Sequence, residues 1–248
     1  MATSSAVREY NRTSFTQDRP QRGQDPPSQD FHPALHVGMP APDFAVTDLD
    51  GNTVRLSDFR GDKHVLFEFG CITAPVFVGD VPTLNRLHAK FHDDGVQVLV
   101  VYAREAHPGE RYSFHTSFEQ KLSHARDLQR LEKIRCPVVV DSLEGDAHHL
   151  YGLRASPVYA VSKDGLLVYK AGWLVPEEAE LVLSQLVLAD QAQAEGGRTR
   201  NVYSERLTPL VADYAGHARV FARAGKGARE DATRALGRDP AAAPQRRA

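Results

Sequence analysis

His64-Val65-Leu66-Phe67-Glu68-Phe69 runs directly into Gly70-Cys71-Ile72-Thr73-Ala74-Pro75. The first six residues are short, apolar and aromatic, and they read as a strand that ends at Gly70. Beyond the loop, Leu84, Leu87 and Phe91 recur at spacings of three and four, which predicts an amphipathic helix over 80–93. A loop joining the carboxyl end of a strand to a helix start is where open α/β sheets bind ligands. Backbone N–H groups at such a start favour anions, thiolates among them. Cys71 is therefore a candidate nucleophile.

The pattern continues outward from this unit. Val96–Tyr102 is almost wholly apolar and predicts a central strand buried on both faces. Phe118, Leu122, Leu128 and Leu131 mark a second helix, 137–141 a third strand, and 147–151 a short helix stopped by Gly152. Strands at 158–161 and 166–169 flank Lys163-Asp164-Gly165, a hairpin signal. A last helix covers 177–188. The order β-α-β-α-β-α-β-β-α predicts a three-layer α/β domain with a mixed sheet and a right-handed crossover between its first two core strands.

Composition sets the domain limits. Residues 1–35 are polar and Pro-rich and read as a disordered tail. The α/β domain takes 36–190, and 191–203 is a linker. Leu207, Leu210, Val211, Tyr214 and Phe221 stripe a helix over 204–222, to be buried on the domain or across a homodimer. Residues 223–248 read as a basic disordered tail. With 30 Lys+Arg against 32 Asp+Glu the net charge is −2, which excludes a globally basic nucleic-acid binder. No apolar run approaches the ~20 residues of a membrane span, and no secretory leader is visible. Two cysteines exclude a disulfide scaffold and a Cys-only zinc cluster. The expected location is cytoplasmic.

Four ordered motifs add a resemblance. Gly38-Met39-Pro40-Ala41-Pro42-Asp43-Phe44, with Asp50-Gly51 and Leu56-Ser57-Asp58-Phe59, resembles the opening of peroxiredoxin and related redoxin domains. Phe69-Gly70-Cys71-Ile72-Thr73-Ala74-Pro75-Val76-Phe77 is similar to the active loop of the iodothyronine deiodinases. Tyr102-Ala103-Arg104-Glu105-Ala106-His107-Pro108 and the segment from His115 to Arg126 resemble two further deiodinase segments. The resemblance covers about 36–190 and implies a thioredoxin-like fold. Carried over by position, it makes Thr73, Glu105, His107 and His115 site residues, flanked by Gly70 and Pro75. It puts Ala74 where the family carries selenocysteine, and Cys71 at a family serine. It also implies a cis Pro157, with the Ser156 backbone offering hydrogen bonds to an extended substrate.

Two functions follow. In the first, Cys71 is the thiolate of an oxidoreductase acting on a peroxide, disulfide or halogenated small molecule. Thr73 bonds the sulfur, His107 and His115 manage protons with Glu105 orienting them, and an external thiol is the reductant. In the second, the fold is catalytically silent and binds a ligand, since alanine has no redox chemistry. No metal or organic cofactor is implied. His88 and His92, and His148-His149, read as solvated helix residues, and Cys136 as a core residue.

Overall fold

The structure is a computed structural model and describes residues 5–14, 34–153, 156–204 and 215–242. After helix α1 (Ser5–Tyr10) come strands β1 (Ala45–Asp48) and β2 (Thr53–Arg55), then β3 (His64–Gly70), α2 (Pro75–Phe91), β4 (Val96–Tyr102), α3 (Phe118–Glu132) and β5 (Val138–Val140). They are followed by α4 (Asp146–Tyr151), β6 (Val158–Val161), β7 (Leu167–Ala171), α5 (Pro176–Ala194), α6 (Ala215–Ala224) and α7 (Lys226–Leu236). The strands form one seven-stranded sheet in the order β2-β1-β5-β4-β3-β6-β7.

The most apolar runs occupy the middle of the sheet. β3 pairs parallel with β4 from His64↔Val96 to Gly70↔Tyr102, and β4 pairs parallel with β5. Every residue of β3 and β4 is buried. Because side chains alternate across a strand, Leu66, Val98 and Val100 pack with Leu84 and Leu87 of α2 and Leu183 of α5. Val65, Phe67, Phe69, Leu99 and Val101 face the other layer, with Phe44, Tyr151 and Tyr159. β6 runs antiparallel to β3, and β7 antiparallel to β6.

α2 begins five residues before the predicted start. Pro75 takes its first turn, where a missing N–H costs nothing. Gly70 allows this start to press on β3, since a Cβ there would run into the Phe77 ring. The β1–β2 hairpin was not among the predicted strands. Asp48 forms its turn by accepting the N–H groups of Asp50 and Asn52, with Gly51 at φ +97°.

Several sequence expectations are corrected. The N-terminal stretch is not tail throughout: Val7, Tyr10 and Asn11 are buried. The Tyr10 hydroxyl bonds His148 Nδ1 at 2.9 Å, and Asn11 Nδ2 donates to the Leu143 carbonyl at 2.7 Å. One aromatic anchor in a polar segment is invisible to an average over composition. α5 runs to Ala194 and into the expected linker. The expected 223–248 tail contains α7, whose Ala228 and Ala232 bury against Phe221 and Ala224. Of the helix expected at 204–222, Leu207, Leu210, Val211 and Tyr214 lie outside the described residues; Phe221 is buried. The Pro157 peptide bond is trans, as are all those of the described residues. His148 is buried and stacked on Phe69 at 4.9 Å rather than solvated.

Tyr10→Ala removes the anchor of α1 and leaves space against His148 and Gly145. The expected loss is roughly 3 kcal/mol, a fall in melting temperature of about 6–12 °C in a thermal melt.

Candidate active site

β3 and β4 end side by side, with Gly70 opposite Tyr102. The loops that follow them meet at the Cys71 sulfur. Sγ accepts the Ala106 N–H at 3.1 Å and lies 3.5 Å from Thr73 Oγ1. The Thr73 hydroxyl donates to Glu105 Oε2 at 2.5 Å and accepts the His107 N–H at 3.1 Å. Glu105 Oε1 in turn accepts the Tyr102 hydroxyl at 2.5 Å and stands 3.1 Å from His115 Nε2 and 3.0 Å from His124 Nδ1. His115 Nδ1 lies 3.2 Å from Asn11 Oδ1. The network therefore runs from the sulfur through Thr73 and Glu105 to two imidazoles.

Burial sets the electrostatics. Desolvation, and then the Glu105 charge, push the Cys71 thiol well above its ordinary range. This corrects the expectation that the helix start favours a thiolate at Cys71: the residue is 1% exposed, so a thiolate has no solvent, and the Glu105 charge beside it is negative. Burial alone would raise the Glu105 carboxyl, but hydrogen bonds from His115 and His124 outweigh it and hold the group well below the usual carboxylate range. Burial lowers His115 and raises Tyr102. Lys121, fully buried on α3, is pushed down to about 8 by desolvation and donates to the Ser142 carbonyl at 2.7 Å.

A helix from outside the α/β body closes the site. Gly216 of α6 lies against the first turns of α2 at Pro75 and Gly79. Val220 joins the core cluster that contains Cys71, Ile72 and Ala74. The Phe221 ring meets the His107 ring at 4.8 Å, and the Ala224 carbonyl accepts the Arg111 N–H at 3.3 Å. Ala74, the residue before α2, is buried beneath this cover.

The structure thus brings together Cys71, Thr73, Glu105, His107 and His115, with Gly70, Ala74 and Pro75 at the loop. Ser156 and Pro157 take no part in the network: the Pro157 carbonyl accepts the Phe69 N–H, and the Ser156 hydroxyl is buried without a partner among the described residues. Sequence reasoning missed Asn11, Tyr102 and His124. Tyr102 is indistinguishable from the apolar strand it ends. His124 carried a readable signal, because Lys121, His124, Ala125 and Leu128 fall on one helical face and all are buried. Beside His124 a groove of about 700 Å³ opens between α3 and α6, lined by Arg111, Arg130, Arg219 and Arg223 together with Tyr112 and Asp127.

A second polar feature lies on the α2 side of β3. Both carboxylate oxygens of fully buried Glu68 and one of Asp80 have no hydrogen-bond partner among the described residues. Burial pushes Asp80 up to about 7, and burial with the Asp80 charge raises Glu68. A carboxyl whose folded pKa is raised binds more protons folded than unfolded. Stability therefore falls as pH rises from about 4 through about 7, where Asp80 titrates, and onward through the raised folded pKa of Glu68. Glu68→Gln is expected to raise stability at pH 8 by on the order of 2 kcal/mol and to change it little at pH 4, as read from urea melts at the two pH values.

A family model described as iodothyronine deiodinase matches residues 11–179. Over 154 residues the chain is 32% identical to the thyroxine 5-deiodinase of Gallus gallus, covering 58% of each chain. It is 29% identical to that of Homo sapiens, covering 58% of this chain and 50% of that one. The chain thus spans only about half to three-fifths of the length of these relatives. The solution structure of a thiol:disulfide interchange protein from Bacteroides sp. matches at a TM-score of 0.50 and 22% identity, over 62% of this chain and 91% of that one. The likeness is one of fold, thioredoxin-like. Deiodinase homologues are integral membrane proteins, which overturns the cytoplasmic location expected from the sequence. Among the described residues no helix is long and apolar enough to cross a membrane. With the family model matching residues 11–179, from the end of α1 to the start of α5, the chain belongs to the iodothyronine deiodinase family.

Proposed function

We propose that the protein is a thiol reductase whose reacting atom is Cys71 Sγ. Family and fold support a redox-related function. The observation that carries the finer reading is the setting of the sulfur. It accepts a backbone N–H from Ala106 and stands beside a hydroxyl that leads through Glu105 to His115 and His124. An N–H aimed at sulfur stabilises a thiolate once solvent reaches it. In the closed state the group rests as a thiol, and movement of α6 admits both water and substrate.

With a peroxide, the thiolate attacks one oxygen and the O–O bond breaks. Cys71 becomes a sulfenic acid, and the leaving oxygen takes a proton to depart as water or alcohol. An external thiol then condenses with the sulfenic acid, releasing water and giving a mixed disulfide. A second thiol frees Cys71. A dithiol-coupled assay over peroxide, disulfide and iodoaryl substrates tests the reading. Turnover in the parent and at least a 100-fold loss in Cys71→Ser support it; equal rates in both reject it.

One observation favours the silent alternative. Ala74, which the motif resemblance puts at the family's selenocysteine position, is buried in the core cluster that also holds Val220 of α6. On that reading the site holds a ligand without reacting, and no substrate of the panel turns over.

A further inference from the structure

The groove between α3 and α6 gathers guanidinium groups from three parts of the chain. Arg111 comes from the segment after β4, Arg130 from α3, and Arg219 and Arg223 from α6. The space they line, about 700 Å³, is the size of a small-molecule site. Two carboxylates, Asp127 and Glu132, stand against these four cations, and both are already engaged. The Glu132 side chain, 8% exposed, is held by Arg223 and, at 3.3 Å, by Arg219. Asp127 pairs with Arg130 at 2.7 Å and accepts the Tyr112 hydroxyl at 3.2 Å. These pairs fix the guanidiniums in place and leave two positive charges in surplus. Donors remain as well. The Arg111 side chain has no hydrogen bond or ion pair among the described residues, and Arg223 Nη1 is buried without an acceptor there. A buried guanidinium N–H with no acceptor is costly, and an oxyanion in the adjoining groove supplies one.

We propose that this groove binds a small, soluble, multiply charged oxyanion of the phosphate class, and that the bound anion ties α6 to α3. Guanidinium forks match the paired oxygens of such a group. An anion held by Arg111 or Arg130 on one wall and by Arg219 or Arg223 on the other spans the seam along which α6 lifts. The α6 wall lies outside residues 11–179, so the site is built partly beyond the stretch that matches the family model. Because Val220 of α6 packs in the cluster that contains Cys71, the tie also shields that sulfur from solvent. The site rests on the groove and on α6, and stands whether or not Cys71 is the reacting atom.

The test titrates the full chain with inorganic pyrophosphate by calorimetry at fixed ionic strength, which holds salt screening constant. One pyrophosphate per chain is expected. Arg111→Gln breaks no contact among the described residues and is expected to weaken binding roughly 10-fold; Arg111→Gln with Arg219→Gln, checked for folding by circular dichroism, roughly 100-fold. Arg86→Gln, on α2 and paired with Glu180, leaves the titration unchanged. The second readout is the labelling of Cys71 by a small neutral thiol reagent, which requires no redox activity. At ten times its dissociation constant, pyrophosphate is expected to slow that labelling about 10-fold. Vesicles containing phosphatidic acid leave pyrophosphate binding unchanged; its loss in their presence assigns the groove to a lipid headgroup and overturns the soluble-anion assignment. No binding in the parent, binding that survives the Arg111 and Arg219 changes, or equal weakening by Arg86→Gln overturns the site. Binding with an unchanged Cys71 rate overturns the tie between α6 and α3.

Discussion

A chain carrying Val220→Ala and Phe221→Ala is expected to react at Cys71 with a small thiol reagent roughly 100-fold faster than the parent. Val220 packs in the cluster that contains Cys71, and Phe221 lies on His107. Full burial of such side chains is worth about 1.5–3 kcal/mol each. Losing most of that contact lowers the cost of lifting α6 by about 3 kcal/mol, and each 1.4 kcal/mol is tenfold in the open population. Reaction through a rare open state scales with that population. Peptide mass spectrometry assigns the label to Cys71 or Cys136. An unchanged Cys71 rate would mean that α6 is not what closes the site.

The second large effect concerns Glu105, which bonds with Thr73, Tyr102, His115 and His124 in a fully buried setting. Glu105→Ala strands those groups together. Removing one member of such a network costs about 3–5 kcal/mol, which predicts a melting temperature lower by roughly 6–20 °C. Glu105→Gln keeps one accepting oxygen and is expected to recover part of the loss. A calorimetric melt of the two variants reads the difference directly. Equal, small losses would mean that the carboxylate is peripheral to the fold.

The α/β body was readable because its signals are local and strong. The runs at 64–69 and 96–102 are apolar enough to specify central strands, and the 158–169 hairpin announces its own turn. The motif residues Cys71, Thr73, Glu105, His107 and His115 do converge, because parallel pairing of β3 and β4 brings both following loops to one edge. What stayed hidden depends on long-range contacts. Asn11 reaches His115 across more than a hundred residues, through a helix whose sequence averages to polar. Phe221 reaches His107 from a helix placed only as an apolar stripe needing a partner. The sign of the Cys71 shift was misjudged for the same reason. A helix start is visible in sequence, whereas the cover that excludes water and the carboxylate beneath the sulfur are not.

The central claim is that Cys71 is the reacting sulfur of this site. It is tested most directly by exposing the native protein to a limiting peroxide in the presence of a sulfenic-acid trap, with modification read residue by residue by peptide mass spectrometry. The account predicts an adduct at Cys71, faster in the Val220→Ala, Phe221→Ala chain, and none at Cys136, which is also buried and whose thiol burial pushes up to about 12. An adduct at Cys136 alone, or none at either residue once α6 has been loosened, would contradict it.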